Sequence, residues 1–390
     1  MDSDSGPTIT LAHGNGGALM HRLIAEVLAP ALHLPPGDRD AAPLGPAPPD
    51  PGPPDAGPPD TGASDTGRPD TGRSDTGSLS RVTGEPATPG LSAEGLTAEG
   101  LTAAAAMMIA TDGVTVQPLV FPGGDLGRLA AHGTVNDLSV AGAVPHWLTL
   151  GLILEEGLPV ATLRRLVTSF GQAVEAAGAR VLAGDTKVVP RGQGGGVYAT
   201  VTGLGPLVRP GLGVAAIRPG DAVLVSGPVG DHGTAVMLAR EDFQISGDLV
   251  SDCASVAGLC RTAWRLDGLR FLRDPTRGGL ATTGHEIVRD RGLGLTLDAA
   301  TIPIRPAVAS VCAMLGLDPL YLACEGRVVA VIAADQADAL LADWRGRGDG
   351  AQAARIGTVT GGPARLSLTT PIGGTRLLEP LEDDPLPRIC

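Results

Sequence analysis

Three aspartates and the single lysine of the chain are the residues best suited to carry chemistry. Asp112, Asp137 and Asp185 are each predicted at the end of a strand or the start of a helix, and Lys187 follows Asp185 by two positions. Mg²⁺ prefers a few hard oxygen ligands and keeps waters, so carboxylates at such positions can hold it against nucleotide phosphates. The ammonium of Lys187 would then neutralise a phosphate. Aspartate is also a good helix N-cap, and each aspartate taken alone is equally explained by that structural role.

The composition makes Lys187 and two asparagines stand out. The chain has 29 basic residues, and every one except Lys187 is arginine. Arginine is a wide planar fork, whereas lysine is a compact point charge suited to a narrow phosphate site. Asn15 and Asn136 are the only asparagines, and both lie in glycine-rich or acidic motifs. Together with the aspartates, these residues indicate a nucleotide-phosphate site.

A glycine-rich turn near the amino terminus offers further phosphate contacts. Gly14, Asn15, Gly16 and Gly17 lie between a predicted short strand and a predicted helix. Glycines at such a junction let backbone amides point at an anion, aided by the helix dipole. The turn is neither a Walker loop nor a full GxGxxG, so by itself it is a weak signal.

Cys390, the last residue, is the strongest candidate nucleophile. A thiolate is the most nucleophilic of the common side chains, and the unperturbed thiol pKa is about 8.5. Chain ends are usually the least ordered part of a domain, and Pro385 and Pro387 disfavour a helix before the cysteine. We therefore expect residues 376–390 to form a flexible tail that carries a reactive thiol. A solvated tail with an accidental cysteine is the alternative.

The overall composition excludes several classes of protein. Five cysteines, an odd number without CxxC spacing, do not predict a disulfide framework or a zinc ribbon. The net charge of −13 argues against binding to nucleic acid through a broad basic face. No segment resembles a signal peptide or a membrane span. We therefore predict a soluble, cytoplasmic protein that binds neither nucleic acid nor membrane.

The predicted elements form two domains. Strands and helices alternate in both halves of the chain, which predicts an α/β or α+β fold of layered sheets and helices. The first domain spans 1–205 and the second 206–375. Between 43 and 101, five-residue units such as PPDTG and RSDTG follow one another. Such Pro/Gly/Asp repeats bury too little apolar surface to offset ordering, so a disordered insertion into the first domain is predicted.

Motifs along the chain resemble the HypE family of hydrogenase maturation factors, the carbamoyl dehydratases. They include TDGV, FPGGD, GTVND, GDTK, GDHG, DPTRGG, ACEG and the terminal LPRIC. GDTK and ND also occur across the wider ATP-binding superfamily of aminoimidazole ribonucleotide synthetase, selenophosphate synthetase and thiamine monophosphate kinase. FPGGD, DPTRGG and LPRIC are specific to HypE. The resemblance covers nearly the whole chain outside the insertion.

The resemblance implies a fold, a reaction and partners. Members are homodimers whose amino-terminal domains share a β-barrel, with ATP and Mg²⁺ near the domain and subunit boundary and an α/β carboxy-terminal domain. The carbamoyltransferase HypF loads a carbamoyl group onto the terminal cysteine, here Cys390. ATP-dependent dehydration then produces a thiocyanate. Its cyanide passes to iron on the HypC–HypD scaffold and from there to a [NiFe] hydrogenase.

The chemistry of this reaction suggests roles for individual residues. Dehydrating an amide requires a phosphoryl donor, a cationic clamp and a base. Glu325 and His232 are the candidate bases, although His232 is equally explained as a structural cap. Arg277 is the candidate for stabilising transferred charge, with an ion pair as its alternative. The predicted nucleotide ligands are Gly14, Asn15, Gly16, Gly17, Asp125, Asn136 and Lys187, and the predicted metal ligands are Asp112, Asp137, Asp185 and Asp40.

Two departures from the family pattern bear on these roles. The usual ANEG motif is ACEG here, so Cys324 replaces an asparagine amide beside Glu325. Where relatives often have DDAA, this chain has DRDAA at 38–42. Asp40 is therefore a weaker metal-ligand prediction than the other three aspartates.

Two other functions are compatible with the sequence. The first is another enzyme of the superfamily, such as a small-molecule kinase or selenophosphate synthetase. The latter would be favoured by a cysteine near the amino terminus, and none precedes Cys253. The second is a non-catalytic scaffold for metallocentre assembly, in which ATP regulates docking.

Overall fold

The computed structural model describes four stretches of the chain, and these fall within one compact unit. The described residues are 6–14, 18–34, 106–240 and 248–382. Within them, no helix is long and apolar enough to cross a bilayer. Outside them lie the predicted insertion and the predicted site residues Asn15, Gly16, Gly17, Asp40 and Cys390.

The first half is organised by a sheet of four long strands and a small hairpin. The strands are β1 (Met107–Val114), β2 (Val120–Phe121), β3 (Gly124–Asp125), β4 (Trp147–Glu155), β5 (Arg180–Val189) and β6 (Val197–Pro206). The sheet order is β1-β6-β4-β5, and β2 pairs with β3. Strands β4 and β5 are parallel, whereas the other neighbours in the sheet are antiparallel.

Helices cover one face of this sheet. They are α1 (Ala18–Leu23), a π-helical turn (Ile24–Leu28), α2 (Ala29–Leu32), α3 (Leu126–Val140) and α4 (Val160–Ala176). Helix α4 buries Leu163, Phe170 and Val174 on one side, the spacing of an amphipathic helix. Helix α3 approaches α4 closely at Gly127. The carbonyl of Leu166 occupies the space that a Cβ at this position would need, so the approach requires glycine.

The opposite face of the sheet is open. Met107, Ile109 and Ile153 are 45%, 67% and 40% exposed on it. Isolated apolar side chains at a surface are ordinary, but several on one face of a sheet suggest an interface.

The second half contains a mixed seven-stranded sheet with helices around it. Its strands are β7 (Ala222–Val225), β8 (Leu269–Arg273), β9 (Gly294–Asp298), β10 (Val329–Ile332), β11 (Ala354–Thr360), β12 (Leu366–Thr369) and β13 (Thr375–Leu377). Their order is β13-β12-β9-β11-β7-β10-β8. The helices are α5 (Asp231–Ala239), α6 (Ala257–Trp264), α7 (Gly279–Arg291), α8 (Pro306–Leu315) and α9 (Ala337–Arg345).

The structure corrects the predicted positions of three aspartates. Asp112 and Asp185 lie inside β1 and β5 rather than after them, and Asp137 lies inside α3. The glycine of GDTK predicts that a strand from Arg180 ends before Gly184, and this prediction was wrong, because β4 pairs with β5 along its whole length, from Trp147 to Glu155. Tertiary pairing overrides a local glycine signal here.

Candidate active site

A polar cavity of about 580 Å³ lies between the two halves. Its walls come from β1 and α3 on one side and from the segment after β8, with α7, on the other. This volume is in the range of small-molecule sites. Its charged and hydroxyl-bearing lining residues are Asp112, Asp137, Arg273, Asp274, Thr276, Arg277, Thr282, Glu286, Glu325 and Glu382.

Carboxylates crowd this cavity. Burial, together with the nearby Asp274 and Asp112 carboxylates, raises the pKa of Asp137 to about 7. Burial also raises the pKa of Asp112 and of Asp274. The pKa of Glu325 is raised well above its usual range by burial first, and then by Asp274 and other carboxylates. Such crowding is relieved by a bound cation, so the group has the electrostatics of a metal site.

These carboxylates fit Mg²⁺ bound together with a phosphate. Within the described ranges, no three His, Cys, Asp or Glu side chains converge closely enough to enclose a metal ion by themselves. Mg²⁺ commonly takes only one or two protein carboxylates and completes its shell with waters and substrate phosphates. Asp112, Asp137 and Asp274 are suited to that arrangement. Asp274 was not among the ligands predicted from the sequence, although it is the first residue of the DPTRGG motif.

Two arginines bring positive charge to the cavity. Arg277 lies beside α7 and is near enough to Asp112 to lower that carboxyl's pKa, against the larger effect of burial. Arg273 ends β8, and its Nε lies 3.3 Å from Oε2 of Glu286. Strand β8 was not predicted, so neither the position of Arg273 nor the placement of Asp274 could be anticipated.

Glu325 presents an unsatisfied oxygen. Its side chain is 2% exposed, and Oε1 has no hydrogen-bond partner among the described residues. A buried polar atom without a partner is costly, and a catalytic role is one explanation for it. The neighbouring Cys324 is fully buried, and its Sγ accepts the N–H of Gly230 at 3.2 Å. The cysteine that replaces the usual asparagine therefore packs behind Glu325 and does not line the cavity.

Asp185 and Lys187 lie on the other side of the sheet. Across the strands, Asp185 pairs with Gly151, which pairs with Thr200, which pairs with Gly113. Cross-strand partners share a face of the sheet, so Asp185 is on the same face as Gly113. Successive residues of a strand alternate between the two faces, so Asp112, the neighbour of Gly113, is on the opposite face from Asp185.

Asp112 points toward α3 instead. A Cβ at Gly133 would lie 2.9 Å from Oδ2 of Asp112, which shows how closely the carboxylate approaches that helix. Within one chain, Lys187 and Asp185 therefore do not line the cavity that holds Asp112 and Asp137.

The glycine-rich turn is close to Lys187. A Cβ at Gly14 would meet the backbone nitrogen and Cβ of Val188 at 3.0 Å, so Gly14 lies against β5 next to the lysine. The predicted phosphate residues thus form two groups, one in the cavity and one at the edge strand β5.

Asp125 and His232, predicted as a nucleotide ligand and a base, make internal contacts. The Asp125 carboxylate caps α3 by accepting the Arg128 N–H at 2.9 Å. His232 is fully buried, with Nδ1 2.8 Å from Oγ of Ser251 and its ring edge-on to Phe121. Neither residue lines the cavity.

The side-chain amide of Asn136 is occupied at both ends. Nδ2 donates to the carbonyl oxygens of Ala254 and Glu325 at 3.1 and 3.3 Å, and Oδ1 accepts the Val256 N–H at 2.8 Å. Asn136 therefore contacts backbone of the second half, whereas its neighbour Asp137 lines the cavity.

The four described cysteines are unsuited to nucleophilic chemistry. Cys253, Cys260, Cys312 and Cys324 are all buried. Burial raises the pKa of each thiol, to about 11 for Cys312. A thiol that stays protonated is a poor nucleophile, so Cys390 is left as the candidate carrier.

The described end of the chain reaches the cavity. Leu378 is buried, and the hydroxyl of Tyr321 donates to the carbonyl of Glu379 at 2.7 Å. Leu381 and Glu382 then line the cavity. The remaining residues, 383–390, start from this point.

Comparison with known proteins identifies the family. The AIR synthase related protein N-terminal domain matches residues 99–207, and the corresponding C-terminal domain matches 218–367. The carbamoyl dehydratase HypE of Cupriavidus necator is 48% identical over 290 residues, which is 73% of this chain and 82% of the relative. The chain belongs to the HypE family.

Two solved HypE structures support the same assignment. One, hydrogenase maturation protein HypE in complex with ATP, has a TM-score of 0.77 and 36% identity, covering 98% of this chain and 100% of that chain. The other, a HypE–HypF complex, has a TM-score of 0.68 and 40% identity, covering 70% of this chain and 90% of that chain. The predicted family and the predicted α/β (α+β) fold are confirmed.

Proposed function

We propose that the protein is an ATP-dependent carbamoyl dehydratase that converts an S-carboxamide on Cys390 into a thiocyanate. The observation that carries this proposal is the path of the chain, because Leu381 and Glu382 line the cavity that contains the acidic cluster and Glu325. Eight further residues follow Glu382. Fully extended, they span at most about 26–29 Å, which is ample for Cys390 to enter the cavity.

The reaction balances with ATP as the oxygen acceptor. The carbamoyl oxygen takes the γ-phosphoryl group, the amide nitrogen gives up both protons, and the C–O bond breaks to leave R–S–C≡N, ADP and phosphate. ATP with Mg²⁺ supplies the phosphoryl group and the charge neutralisation for this step. Asp112, Asp137 and Asp274 would hold the metal.

Glu325 is the proposed base. Its Oε1 is buried and unpartnered within the described chain, so it can accept an N–H proton of the carboxamide without breaking another bond. Burial, and then the neighbouring carboxylates, raise its pKa, so its side chain holds a proton more strongly than an ordinary glutamate. Neutralising the neighbouring aspartates lowers that pKa and prepares the carboxylate. Arg277 would stabilise the negative charge that develops on the transferred phosphoryl group.

A homodimer is proposed to unite the two groups of phosphate residues. The open face of the sheet exposes Met107, Ile109 and Ile153, and Lys187 lies on the same face. A second copy packed there, as the family's shared barrel implies, would cover these exposed apolar side chains. It would also bring Lys187 and the glycine-rich turn to a subunit boundary, where Lys187 would bind phosphate.

The proposed partners follow from the cyanide product. HypF, which forms a complex with a similar protein, would load Cys390 with the carbamoyl group. A HypC–HypD complex would accept the cyanide onto iron for a [NiFe] hydrogenase. The absence of a membrane-spanning helix from the described residues is compatible with a cytoplasmic location.

The test uses the full-length protein carbamoylated at Cys390 by a HypF-type transferase or by cyanate. Adding ATP and Mg²⁺ should remove about 18 Da, the mass of one water, from the carboxy-terminal peptide. Nucleotide turnover without this loss would sink the dehydratase proposal and favour the scaffold. Transfer of phosphate to an added small molecule would favour a kinase instead.

A further inference from the structure

The segment from Ser251 to Val256 connects the first half of the chain to the loop that carries Glu325. The Ser251 N–H donates to the carbonyl of Pro122 at 2.8 Å. Further along the segment, Asn136 of α3 binds the carbonyl of Ala254 and the N–H of Val256. The segment is thus held by two elements of the first half.

The same segment, with Asn136, holds both peptide groups of Glu325. The N–H of Glu325 donates to Oδ1 of Asp252 at 3.1 Å, and the N–H of Gly326 donates to Oδ2 at 3.3 Å. On the carbonyl side, the Glu325 oxygen accepts from Asn136 Nδ2 at 3.3 Å and from the Ala254 N–H at 3.3 Å. The peptide groups on both sides of the Glu325 Cα are therefore held by hydrogen bonds to groups that are remote in sequence: the side chains of Asp252 and Asn136 and the backbone N–H of Ala254.

An ion-pair network fixes Asp252 in turn. Its Oδ2 lies 3.5 Å from Nε of Arg327, whose Nη2 lies 3.5 Å from Asp231. Asp231 also pairs with Arg305 at 2.8 Å. The Asp231 and Asp252 side chains are each 2% exposed and that of Arg327 is 13% exposed. Asp231 belongs to the GDHG motif, for which the reaction itself provides no role.

We propose that Asn136 and Asp252 are positioning residues that hold Glu325 from its two sides and so aim its carboxyl group into the cavity. Asn136 is next to Asp137, so the same contact ties the position of the base to that of a metal-binding aspartate. Misplacing a reacting group by about 1 Å can cost roughly 100-fold in rate. This inference rests on the proposed function, in which Glu325 acts as the base.

The experiment compares Asn136→Ala and Asp252→Asn with Ser139→Ala in the carbamoylated full-length protein. Ser139 is a matched control, since it is a buried polar residue on the same helix and its hydroxyl, among the residues that the structure describes, donates within that helix to the Val135 carbonyl at 2.7 Å. Single-turnover water loss should slow by about 10–100-fold in the first two variants, while the dissociation constant for ATP changes by less than about threefold. Ser139→Ala should retain the wild-type rate.

A double mutant separates positioning from an independent effect. In a Glu325→Gln background, which already lacks the base, Asn136→Ala should cause no further loss of rate. A multiplicative loss would refute the positioning role, as would a fall in ATP affinity that matches the fall in rate, because that result would make Asn136 a nucleotide ligand. If Asn136→Ala does not fold, Asp252→Asn in the same background decides the question.

Hydrogen exchange keeps the inference testable if the proposed function fails. When the wild-type protein shows no water loss, the dehydratase proposal falls, but the clamp on Glu325 can still be measured. The amides of Glu325 and Gly326, which donate to Asp252, should exchange faster in Asp252→Asn than in Ser139→Ala, and the amide of Val256, which donates to Asn136, should exchange faster in Asn136→Ala. Unchanged exchange at these amides would refute the clamp whatever the enzyme's activity.

Discussion

The ammonium group of Lys187 lies 3.0 Å from the carboxylate of Asp185, two residues earlier on the same face of β5. This contact lowers the pKa of Asp185, chiefly through the hydrogen bond from Lys187. Both side chains are well exposed, at 66% and 71% for Lys187 and Asp185. A surface pair of this kind contributes little to stability.

Replacing Lys187 by arginine tests whether this site needs a compact charge. Lys187→Arg should weaken ATP binding and slow turnover by about tenfold or more, the equivalent of one charge-assisted hydrogen bond of roughly 1.5 kcal/mol. Calorimetric titration and ADP release measure the two quantities. Arg180→Lys, at the start of the same strand, is the control and should change neither. Unaltered ATP affinity and turnover in Lys187→Arg would refute the role inferred from the solitary lysine.

Removing the terminal thiol should separate modification from nucleotide binding. Cys390→Ala should abolish carbamoylation and thiocyanate formation, because the four described thiols are buried and burial raises the pKa of each. Its affinity for ATP should stay at the wild-type value. Cys312→Ala, which removes a buried thiol, should still be modified. Modification that persists on another cysteine in Cys390→Ala would show that the tail is not the carrier.

Asp137 should make stability depend on pH. Its folded-state pKa of about 7 exceeds the ordinary 3.8, so between these values the folded protein retains a proton that the unfolded chain releases. Stability contributed by this group is therefore present at low pH and is lost as pH rises toward 7. Urea unfolding of Asp137→Asn, at intervals from pH 5 to 8, should show a smaller decline across that window than wild type. An unchanged slope would contradict the assigned shift.

The same titration should affect metal binding. Mg²⁺ competes with the proton on Asp137, so the affinity for Mg²⁺ should rise as pH increases through about 7. Isothermal titration of Mg²⁺ with ATP present at several pH values measures this. In Asp137→Asn the affinity should be weaker and less dependent on pH.

Arg327 should be important for stability because it neutralises two buried carboxylates. Arg327→Met leaves Asp231 and Asp252 without this partner, and breaking a buried ion pair typically costs about 3–5 kcal/mol. Denaturant unfolding gives the change directly. Arg289→Met removes an arginine whose ion pair with Asp290 is at the surface, and it should have little effect. Equal unfolding free energies for the two variants would contradict the network's structural role.

The core elements could be read from the sequence where the apolar pattern was strong. The apolar residues of 160–177 repeat with helical spacing and predict a helix there, one residue longer than the observed Val160–Ala176. The sequence at 355–359 predicts a strand, and this lies within the observed Ala354–Thr360. Strand β8 was missed, because Leu269–Arg273 is only five residues long and its two arginines interrupt the apolar run without strict alternation.

The sequence by itself determined the family and the chemical types present, since motifs such as DPTRGG and LPRIC and the rarity of lysine are properties of the chain alone. Only the tertiary structure decided which of those residues meet. It placed Asp274 with Asp112 and Asp137, put Lys187 on the opposite face of the sheet, and turned Asn136 toward backbone. The reason is physical: which face a strand residue takes, and which remote peptide an amide reaches, depend on register and packing between distant segments.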